Sequence, residues 1–403
     1  MPEISYWQSV FDTYRTALLE DVIPFWEKHS PDREAGGYFT CLDRQGRVYD
    51  TDKFMWLQGR QVWMFSKLYN TIEKRTAWLA LAQLGYDFMR RHGMDEEGNW
   101  YFSLERRGRP LVQPCNIFSD CFAAMAFSQY ALASGNNEAR NIARRTLDNI
   151  LQRQSNPKGH FNKGFPGTRP LASLVLPMIL CNLTLEMEWM LDAATVDRIL
   201  DPAISVILDK CLDRKRLILH EAVKPDGAPA DCFEGRMISP GHGIEATWFV
   251  MDIAARRGDK ALVNRCIDIA LSLLEFGWDS DHGGIFYFLD CENRPPERLD
   301  WDQKLWWVHG ESLVAFAKGF ALTGRQDCAD AFEKVHAYTW KRFPDSQYGA
   351  WFGYLNRRGE VLIDAKGGKW KGCFHVPRAL WLVSQAADQI VASGQKAENN
   401  KKD

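Results

Sequence analysis

The sequence lacks the features that mark membrane proteins and nucleic-acid-binding proteins. It contains no run of about 20 apolar residues, so we expect no membrane-spanning helix. Its 50 basic and 52 acidic side chains nearly balance, which argues against binding of nucleic acid by phosphate neutralisation. The opening residues, MPEISYWQSV, lack the basic and then apolar pattern of a secretory signal peptide. We therefore expect a cytoplasmic protein that binds neither membrane nor nucleic acid.

Cysteine spacing gives no sign of a metal centre. The ten cysteines are scattered, without a CxxC pair or another spacing typical of metal ligands. Several lie among apolar residues, as Cys181 does in ILCNL, where a free thiol behaves as a small hydrophobic side chain. We expect reduced cysteines and no metal. Aromatic residues, in contrast, are plentiful: they form 13% of the 403 residues and include 16 tryptophans. Rings in this number suit a core or the wall of a sugar-sized cleft.

The chain has no Pro-, Gly- or Ser-rich spacer, although its length would allow two or three domains. Instead, one module recurs: a glycine-aromatic strand, a turn, a second short strand and an apolar helix. Clear copies begin with GGYF (36–39), GNWYF (98–102), GGIFYF (283–288) and GAWFGY (349–354). Weaker copies complete a set of six marker glycines, which are Gly37, Gly98, Gly159, Gly227, Gly284 and Gly349.

An amphipathic helix follows each apolar helix except the last, where the chain ends. The N-terminal segment SVFDTYRTALLEDVIPFWEKH supplies the missing outer helix. The pattern predicts an all-α fold, an (α/α)6 barrel of twelve helices with short β-hairpins in the loops at one end. An open helical solenoid is the alternative. We expect residues 1–393 to form this single domain and the polar tail 394–403 to be disordered.

Closure of the barrel would bring the starts of the six inner helices to one mouth. The residues that share this position, polar side chains and one methionine, are Arg60, Asn116, Asp120, Met178, His242, Glu245, His309, Glu311, His375 and Arg378. The aromatic residues that accompany them are Tyr38, Trp56, Trp306, Trp307 and Phe374. A ring-lined mouth with a few convergent polar groups suits a carbohydrate.

Two histidines occupy matching positions in the fourth and sixth repeats. Glu245, three residues after His242, shares its helix face and should orient the ring. Lys366, Lys369, Lys371 and Arg378 surround His375, and their charge should hold that imidazole neutral. Either histidine alone is more simply explained as structural, but the matching positions favour a chemical role for both.

Other candidates carry competing explanations. Arg60, between apolar neighbours, needs an anionic or carbonyl partner, which is either a ligand or a structural carboxylate. Glu311 is favoured for the cavity, while His309, two residues away, should point differently and is a lesser candidate. The loop 156–170 carries Lys158, Lys163 and Arg169 among glycines, and such a loop can bind phosphate or can be a solvated turn.

Five motifs taken together resemble the N-acylglucosamine 2-epimerase family. They are WLQGRQVW, SPGHGIEATWF, DQKLWWVHGESLVA, YGAWFGYLNRRGEV and GGKWKGCFHVPRAL. The resemblance runs from about Phe25 to about Leu382. It implies a cytoplasmic homodimer that interconverts N-acetyl-D-glucosamine and N-acetyl-D-mannosamine, with ATP as an activator that is not consumed. It places the catalytic histidines at His242 and His375, the motif arginine at Arg60, the cavity glutamates at Glu245 and Glu311, and a neighbouring cysteine at Cys373.

The implied reaction suits this set of residues without a metal or redox cofactor. We expect His375 to act as the base on the glucosamine epimer and His242 on the mannosamine epimer, with Arg60 stabilising an enolate oxygen. Lys158, Lys163 and Arg169 are the candidates for the ATP site. The alternatives are a cellobiose or mannose epimerase or isomerase of the same barrel, an inverting glycosidase, and a non-catalytic module that binds another protein.

Overall fold

The computed structural model describes residues 4–165 and 167–399. The helices in chain order are α1 (Ile4–Thr16), α2 (Ile23–His29), α3 (Met55–Thr71), α4 (Thr76–His92), α5 (Phe118–Ser134), α6 (Asn137–Arg153), α7 (Val175–Met187), α8 (Ala193–Ser205), α9 (Phe233–Arg236), α10 (Pro240–Arg256), α11 (Lys260–Gly277), α12 (Trp306–Thr323), α13 (Gln326–Arg342) and α14 (His375–Asn399). A π-helical turn, Ala17–Val22, joins α1 to α2, and another, Val206–Lys210, extends α8.

The strands are short and belong to the loops. They are β1 (Lys53–Phe54), β2 (Ser103–Leu104), β3 (Pro110–Val112), β4 (Ala172–Ser173), β5 (Leu212–Asp213), β6 (Ile218–Leu219), β7 (Ala222–Val223), β8 (Met237–Ile238), β9 (Leu289–Asp290), β10 (Lys304–Leu305), β11 (Tyr354–Leu355) and β12 (Val361–Ile363). The protein is therefore mostly helical, as the repeat pattern predicts.

Helices of two kinds alternate along the chain. The inner helices α3, α5, α7, α10, α12 and α14 carry mainly apolar side chains, and α5 buries thirteen consecutive residues from Ser119 to Ala131. The outer helices bury one face only. In α6 the buried positions begin at Ala139, Ile142 and Ala143 and continue with the three- and four-residue spacing of an amphipathic helix.

The inner helices close into a ring. Successive inner helices pack together from α3 to α14, and α14 also packs on α1, which completes the outer layer. The closing contact places the ring of Trp381 on α14 6.3 Å from that of Trp63 on α3. On the outer side, Trp7 of α1 stacks at 5.2 Å on Phe320 of α12. The predicted (α/α)6 barrel is therefore confirmed, and the open solenoid is excluded.

The glycine-aromatic hairpins gather at the mouth, where the inner helices begin. All six marker glycines have φ between 54° and 89°, a region that side chains with a Cβ rarely adopt, so the turns require glycine there. Most of the short strands before inner helices pair with the hairpin of the next repeat, as β1 does with β2 and β10 with β11. The loops of successive repeats are thereby tied together around the mouth.

Buried ion clusters with the same arrangement also connect the loops of successive repeats. In each, an aspartate that follows an outer helix binds a buried lysine of its own repeat and an arginine from the next hairpin around the ring. The clusters are Asp32 with Lys53 and Arg106, Asp279 with Lys304 and Arg357, and Asp345 with Lys366 and Arg44. The third cluster joins the sixth repeat to the first, where the ring closes.

The final helix extends into the tail that was predicted to be disordered. It continues through Gly394 to Asn399, so this part of the expectation is corrected; residues 400–403 lie outside the described chain. Close approach of Gly394 to Ile4 of α1 explains the extension, because a Cβ at Gly394 would lie 2.8 Å from the Ile4 side chain. No helix in the described ranges is both long and apolar enough to cross a membrane.

Candidate active site

The rings of two histidines and one tryptophan lie close together at the barrel mouth. Ser239 caps α10 by accepting a hydrogen bond from the His242 N–H, which places His242 in the first turn. His375 is the first residue of α14. The ring centroid of Trp307, at the start of α12, lies 4.9 Å from that of His242 and 5.8 Å from that of His375. The structure therefore brings these three predicted residues together.

His242 is oriented by Glu221, a residue that the sequence analysis missed. The His242 Nδ1 lies 3.0 Å from one Glu221 carboxylate oxygen and 3.1 Å from the other. Burial works against a charged imidazole, but the charge and hydrogen bond of Glu221 outweigh it and raise the pKa of His242 above its ordinary value. The expectation that Glu245 orients this ring is wrong, because Glu245 binds Arg378 instead.

His375 has the opposite electrostatic environment. Its Nδ1 lies 2.8 Å from Glu311 Oε1, which leaves Nε2 as the atom free to take a proton. Burial, followed by the charges of Arg60 and Arg378, lowers the pKa of His375 well below its ordinary value. At neutral pH, His375 is therefore a neutral base, whereas the raised pKa of His242 favours its charged form.

The neighbouring lysines do not supply the positive field expected from the sequence. Lys366 pairs with Asp345 at 2.7 Å, and Lys371 donates to the carbonyl of Trp351 at 2.8 Å. The charges that act most strongly on His375 belong to Arg60 and Arg378. The pKa of His375 is lowered as expected, by burial and the charge of Arg60, and of the four expected charges Arg378 is the one that acts most strongly.

Arg378 joins the two glutamates of the cluster. It lies 2.5 Å from Glu245 Oε1 and 2.7 Å from Glu311 Oε1, and Glu311 Oε2 accepts a hydrogen bond from the Trp248 indole at 3.0 Å. Glu245, Glu311 and His375 lie close enough to ligate a metal. The Arg378 guanidinium already pairs with both carboxylates, so a metal would have to displace it.

Arg60 lies in a cage of three aromatic rings. Its guanidinium carbon is 4.4 Å from the ring centroid of Trp56, 4.0 Å from Phe122 and 4.7 Å from Phe374. No described residue forms a hydrogen bond or ion pair with it, and its Nε is buried without a partner. Burial and the charge of Arg378 lower the pKa of Arg60 to about 9, so it remains a cation at neutral pH. No described carboxylate pairs directly with Arg60; Glu245 and Glu311 act on it only from a distance.

Two predicted site residues, Tyr38 and Asp120, have structural contacts instead. The Tyr38 hydroxyl donates to the carbonyl of Leu81 on the outer helix α4. Asp120 pairs at 3.0 Å with Arg153 of the outer helix α6. Both side chains face the outer layer because a helix or loop start fixes the residue position and not the direction of its side chain.

His309 is also a structural residue. Its Nδ1 donates to the Leu305 carbonyl at 2.8 Å, and its Nε2 accepts from the Ile285 N–H at 3.0 Å. Burial lowers its pKa to about 3, so the ring is neutral and both nitrogens are occupied. Asn116 accepts from the Phe118 N–H at the start of α5, and Met178 is buried in α7.

The predicted aromatic wall is found on one side of the mouth. The ring centroids of Trp56 and Trp370 are 5.6 Å apart, and Trp370 is 55% exposed. The ring of Phe374 contacts the guanidinium groups of both Arg60 and Arg378. The candidate ATP residues Lys158, Lys163 and Arg169 are exposed, with Arg169 3.6 Å from Glu234.

Comparison with known proteins identifies the relatives of this barrel. Residues 37–379 match the family of N-acylglucosamine 2-epimerase (GlcNAc 2-epimerase). The chain belongs to this family. It is 38% identical to the N-acylglucosamine 2-epimerase of Bos taurus over 390 residues, which cover 93% of this chain and 90% of the bovine protein. With the human protein it shares 39% identity over 393 residues, covering 93% of this chain and 89% of the human one.

A solved structure shows the same architecture. The cellobiose 2-epimerase from Bacillus thermoamylovorans B4167 superposes with a TM-score of 0.81 at 20% identity, covering 94% of this chain and 99% of that one. The family resemblance inferred from the motifs is confirmed, and this chain is a sugar epimerase of the isomerase class.

Proposed function

We propose that the protein reversibly interconverts N-acetyl-D-glucosamine and N-acetyl-D-mannosamine by moving a proton at C2. The observation that carries this proposal is the opposed charge of two histidines that contact the same indole. His242 has a raised pKa and its own carboxylate, Glu221, whereas His375 has a lowered pKa. Such a pair supplies one acid and one base to a molecule held between them.

The chemistry starts from the open-chain sugar, whose C1 carbonyl acidifies the C2–H bond. His375 Nε2 takes this proton, and the electron pair of the broken bond forms an enolate whose charge rests on the C1 oxygen. The His242 imidazolium then donates a proton to the other face of C2, which restores the carbonyl with inverted configuration. The product state has a charged His375 and a neutral His242, so the same groups with exchanged roles perform the reverse reaction.

Arg60 is the group that we assign to the developing oxyanion. It is a buried cation that forms no ion pair with any described residue, it is held in position by three rings, and it requires no rearrangement when charge appears on the C1 oxygen. Glu221 and Glu311 hold the Nδ1 atoms of the two histidines, so each Nε2 is left for the substrate.

We also propose that ATP activates the enzyme without being consumed, and that the active form is a homodimer. The support for a nucleotide site is the exposed cationic loop that carries Lys158, Lys163 and Arg169, since lysine and arginine are the side chains that bind phosphate.

The decisive experiment is incubation of the purified protein with N-acetyl-D-mannosamine, with and without ATP, followed by separation of the two epimers. We expect N-acetyl-D-glucosamine to appear, and deuterium at C2 when the reaction is run in heavy water. Turnover of cellobiose or mannose but not of the N-acetyl sugar would establish the alternative specificity. Binding of sugar without any change at C2 would refute the proposal in favour of a non-catalytic protein.

A further inference from the structure

Glu311 is the carboxylate on which His375 depends, and its second oxygen has a separate attachment. Glu311 Oε1 contacts both His375 and Arg378, at 2.8 and 2.7 Å. Oε2 accepts one hydrogen bond from the described residues, from the Trp248 indole N–H at 3.0 Å. Trp248 is buried on α10 and lies next to the cluster without being one of its ionisable groups.

The indole of Trp248 is in turn flanked by an ion pair nearer the other end of the barrel. The Lys318 ammonium lies 4.9 Å from the Trp248 ring centroid and 2.7 Å from both carboxylate oxygens of Asp252. Lys318 follows Glu311 by seven residues on α12, and Asp252 follows Trp248 by four on α10. Both spacings keep the side chains on one helix face, about two turns and one turn further from the mouth.

We propose that Trp248 is a positioning residue for Glu311, and that the Asp252–Lys318 pair holds it in place from the far side. The inference rests on the proposed proton transfer by His375. A fixed donor on Oε2 sets the orientation of the carboxylate about Oε1, which His375 and Arg378 already contact. The ammonium over the ring face attracts the indole electrons, which strengthens its N–H as a donor.

The consequence for His375 has a definite direction. The charged and titratable groups that face this ring are Arg60, His242, Glu245, Glu311 and Arg378. Loss of the indole donor leaves more negative charge on Glu311, which stays anchored to Arg378 through Oε1. A more basic carboxylate at Nδ1 favours the imidazolium, so the pKa of His375 should rise when Trp248 no longer donates.

The test compares Trp248→Phe and Lys318→Met with a matched variant, Lys67→Met. Lys67 is 16% exposed where Lys318 is 17%, pairs with Glu186 at 2.8 Å and lies 5.9 Å from the Trp63 ring, whose indole donates to Glu186. It therefore has the same kind of environment on another inner helix, without a contact to Glu311. Lys318→Met also covers the case in which Trp248→Phe folds poorly.

Two readouts separate positioning from general damage to the fold. NMR titration of the histidine ring nitrogens should show a higher pKa for His375 in Trp248→Phe, a smaller rise in Lys318→Met, and no change in Lys67→Met. Turnover should fall about tenfold in Trp248→Phe, equivalent to roughly 1.4 kcal/mol, and about threefold in Lys318→Met, with KM unchanged.

An unchanged or lowered His375 pKa in both variants would overturn the inference, as would equal effects in Lys318→Met and Lys67→Met. Lys318→Arg, which keeps the charge over the ring, should restore most of the turnover lost in Lys318→Met. Failure of the wild-type protein to epimerise the sugar would instead refute the proposed function, and the NMR titration would still test the contact between Trp248 and Glu311.

Discussion

Glu221→Gln gives the sharpest test of the electrostatic asymmetry between the two histidines. Glutamine has the shape of glutamate and can keep a hydrogen bond to His242 Nδ1, but it removes the negative charge 3.0 Å from that nitrogen. This charge and the charge-assisted hydrogen bond are what outweigh the burial of His242. Without them, burial dominates, and the pKa of His242 should fall.

The size of the fall follows from the geometry. A hydrogen bond to a charged group contributes about 1.5–3 kcal/mol, and one pKa unit corresponds to about 1.36 kcal/mol. The His242 side chain is 25% exposed, so solvent screens the pair only in part. We therefore expect the His242 imidazolium in Glu221→Gln to lose stabilisation of about 1.5–3 kcal/mol at most, and its pKa to fall.

The assay is the pH dependence of kcat/KM in the direction in which His242 donates the proton. Activity in this direction is lost as pH rises through the pKa of His242, so the alkaline limb of the profile should move to lower pH. In the opposite direction His242 accepts the proton and must be neutral, so the acid limb of that profile should also move to lower pH.

Glu245→Gln is the control, because Glu245 binds Arg378 at 2.5 Å and not His242. Its alkaline limb should move less than that of Glu221→Gln, because Glu245 raises the pKa of His242 less than Glu221 does and without a hydrogen bond to the ring. If Glu245→Gln moved the limb and Glu221→Gln did not, the assignment of Glu221 as the partner of His242 would be refuted.

Three further predictions concern stability and activation. Asp345→Asn, which breaks the buried cluster that joins the last repeat to the first, should lower the free energy of unfolding in urea by about 3 kcal/mol; Glu73→Gln, at an exposed pair with an arginine, should have little effect. Because His309 has a folded pKa of about 3, the stability that its neutral ring provides is present above pH 6.5 and is lost as pH falls. Between pH 7.5 and 5 this loss should be about 2 kcal/mol for His309 alone, and His309→Gln should show a correspondingly weaker pH dependence. Lys163→Ala should raise the ATP concentration needed for half-activation by about tenfold, and an unchanged value would count against a nucleotide site in this loop.

The repeat pattern was enough to predict the barrel and the position of its mouth. Glycines such as Gly37 and Gly349 mark turns that need a positive φ. The number of these glycines therefore predicts the number of repeats without any assignment of helices. Equivalent positions in the six repeats then predicted which residues lie at the starts of the inner helices, around the mouth of the barrel. They could not predict the direction of each side chain, and Asp120 illustrates the limit: it occupies the correct turn but faces Arg153 in the outer layer.

Glu221 was missed for a different reason. It lies between β6 and β7, where the chain has neither a helical nor a strand period, and it is 21 residues from the histidine that it orients. The one signal in the sequence is a charged residue inside an otherwise apolar segment, LILHEAV. Helical spacing made Glu245 the expected partner of His242, but Glu245 pairs with Arg378 from another inner helix.

The two histidines occupy equivalent places in a repeating barrel, so equivalence alone would give them equal proton affinities. Their difference arises from their surroundings: Glu221 binds His242 and raises its pKa, whereas burial and the charges of Arg60 and Arg378 lower the pKa of His375. The free enzyme therefore favours a charged His242 and a neutral His375. One turnover reverses this distribution, and the enzyme must exchange protons with water before the next turnover in the same direction. Because the donated proton thus comes from solvent, even the first product molecules formed in heavy water should carry deuterium at C2; retention of the substrate hydrogen in most of them would contradict two separate bases.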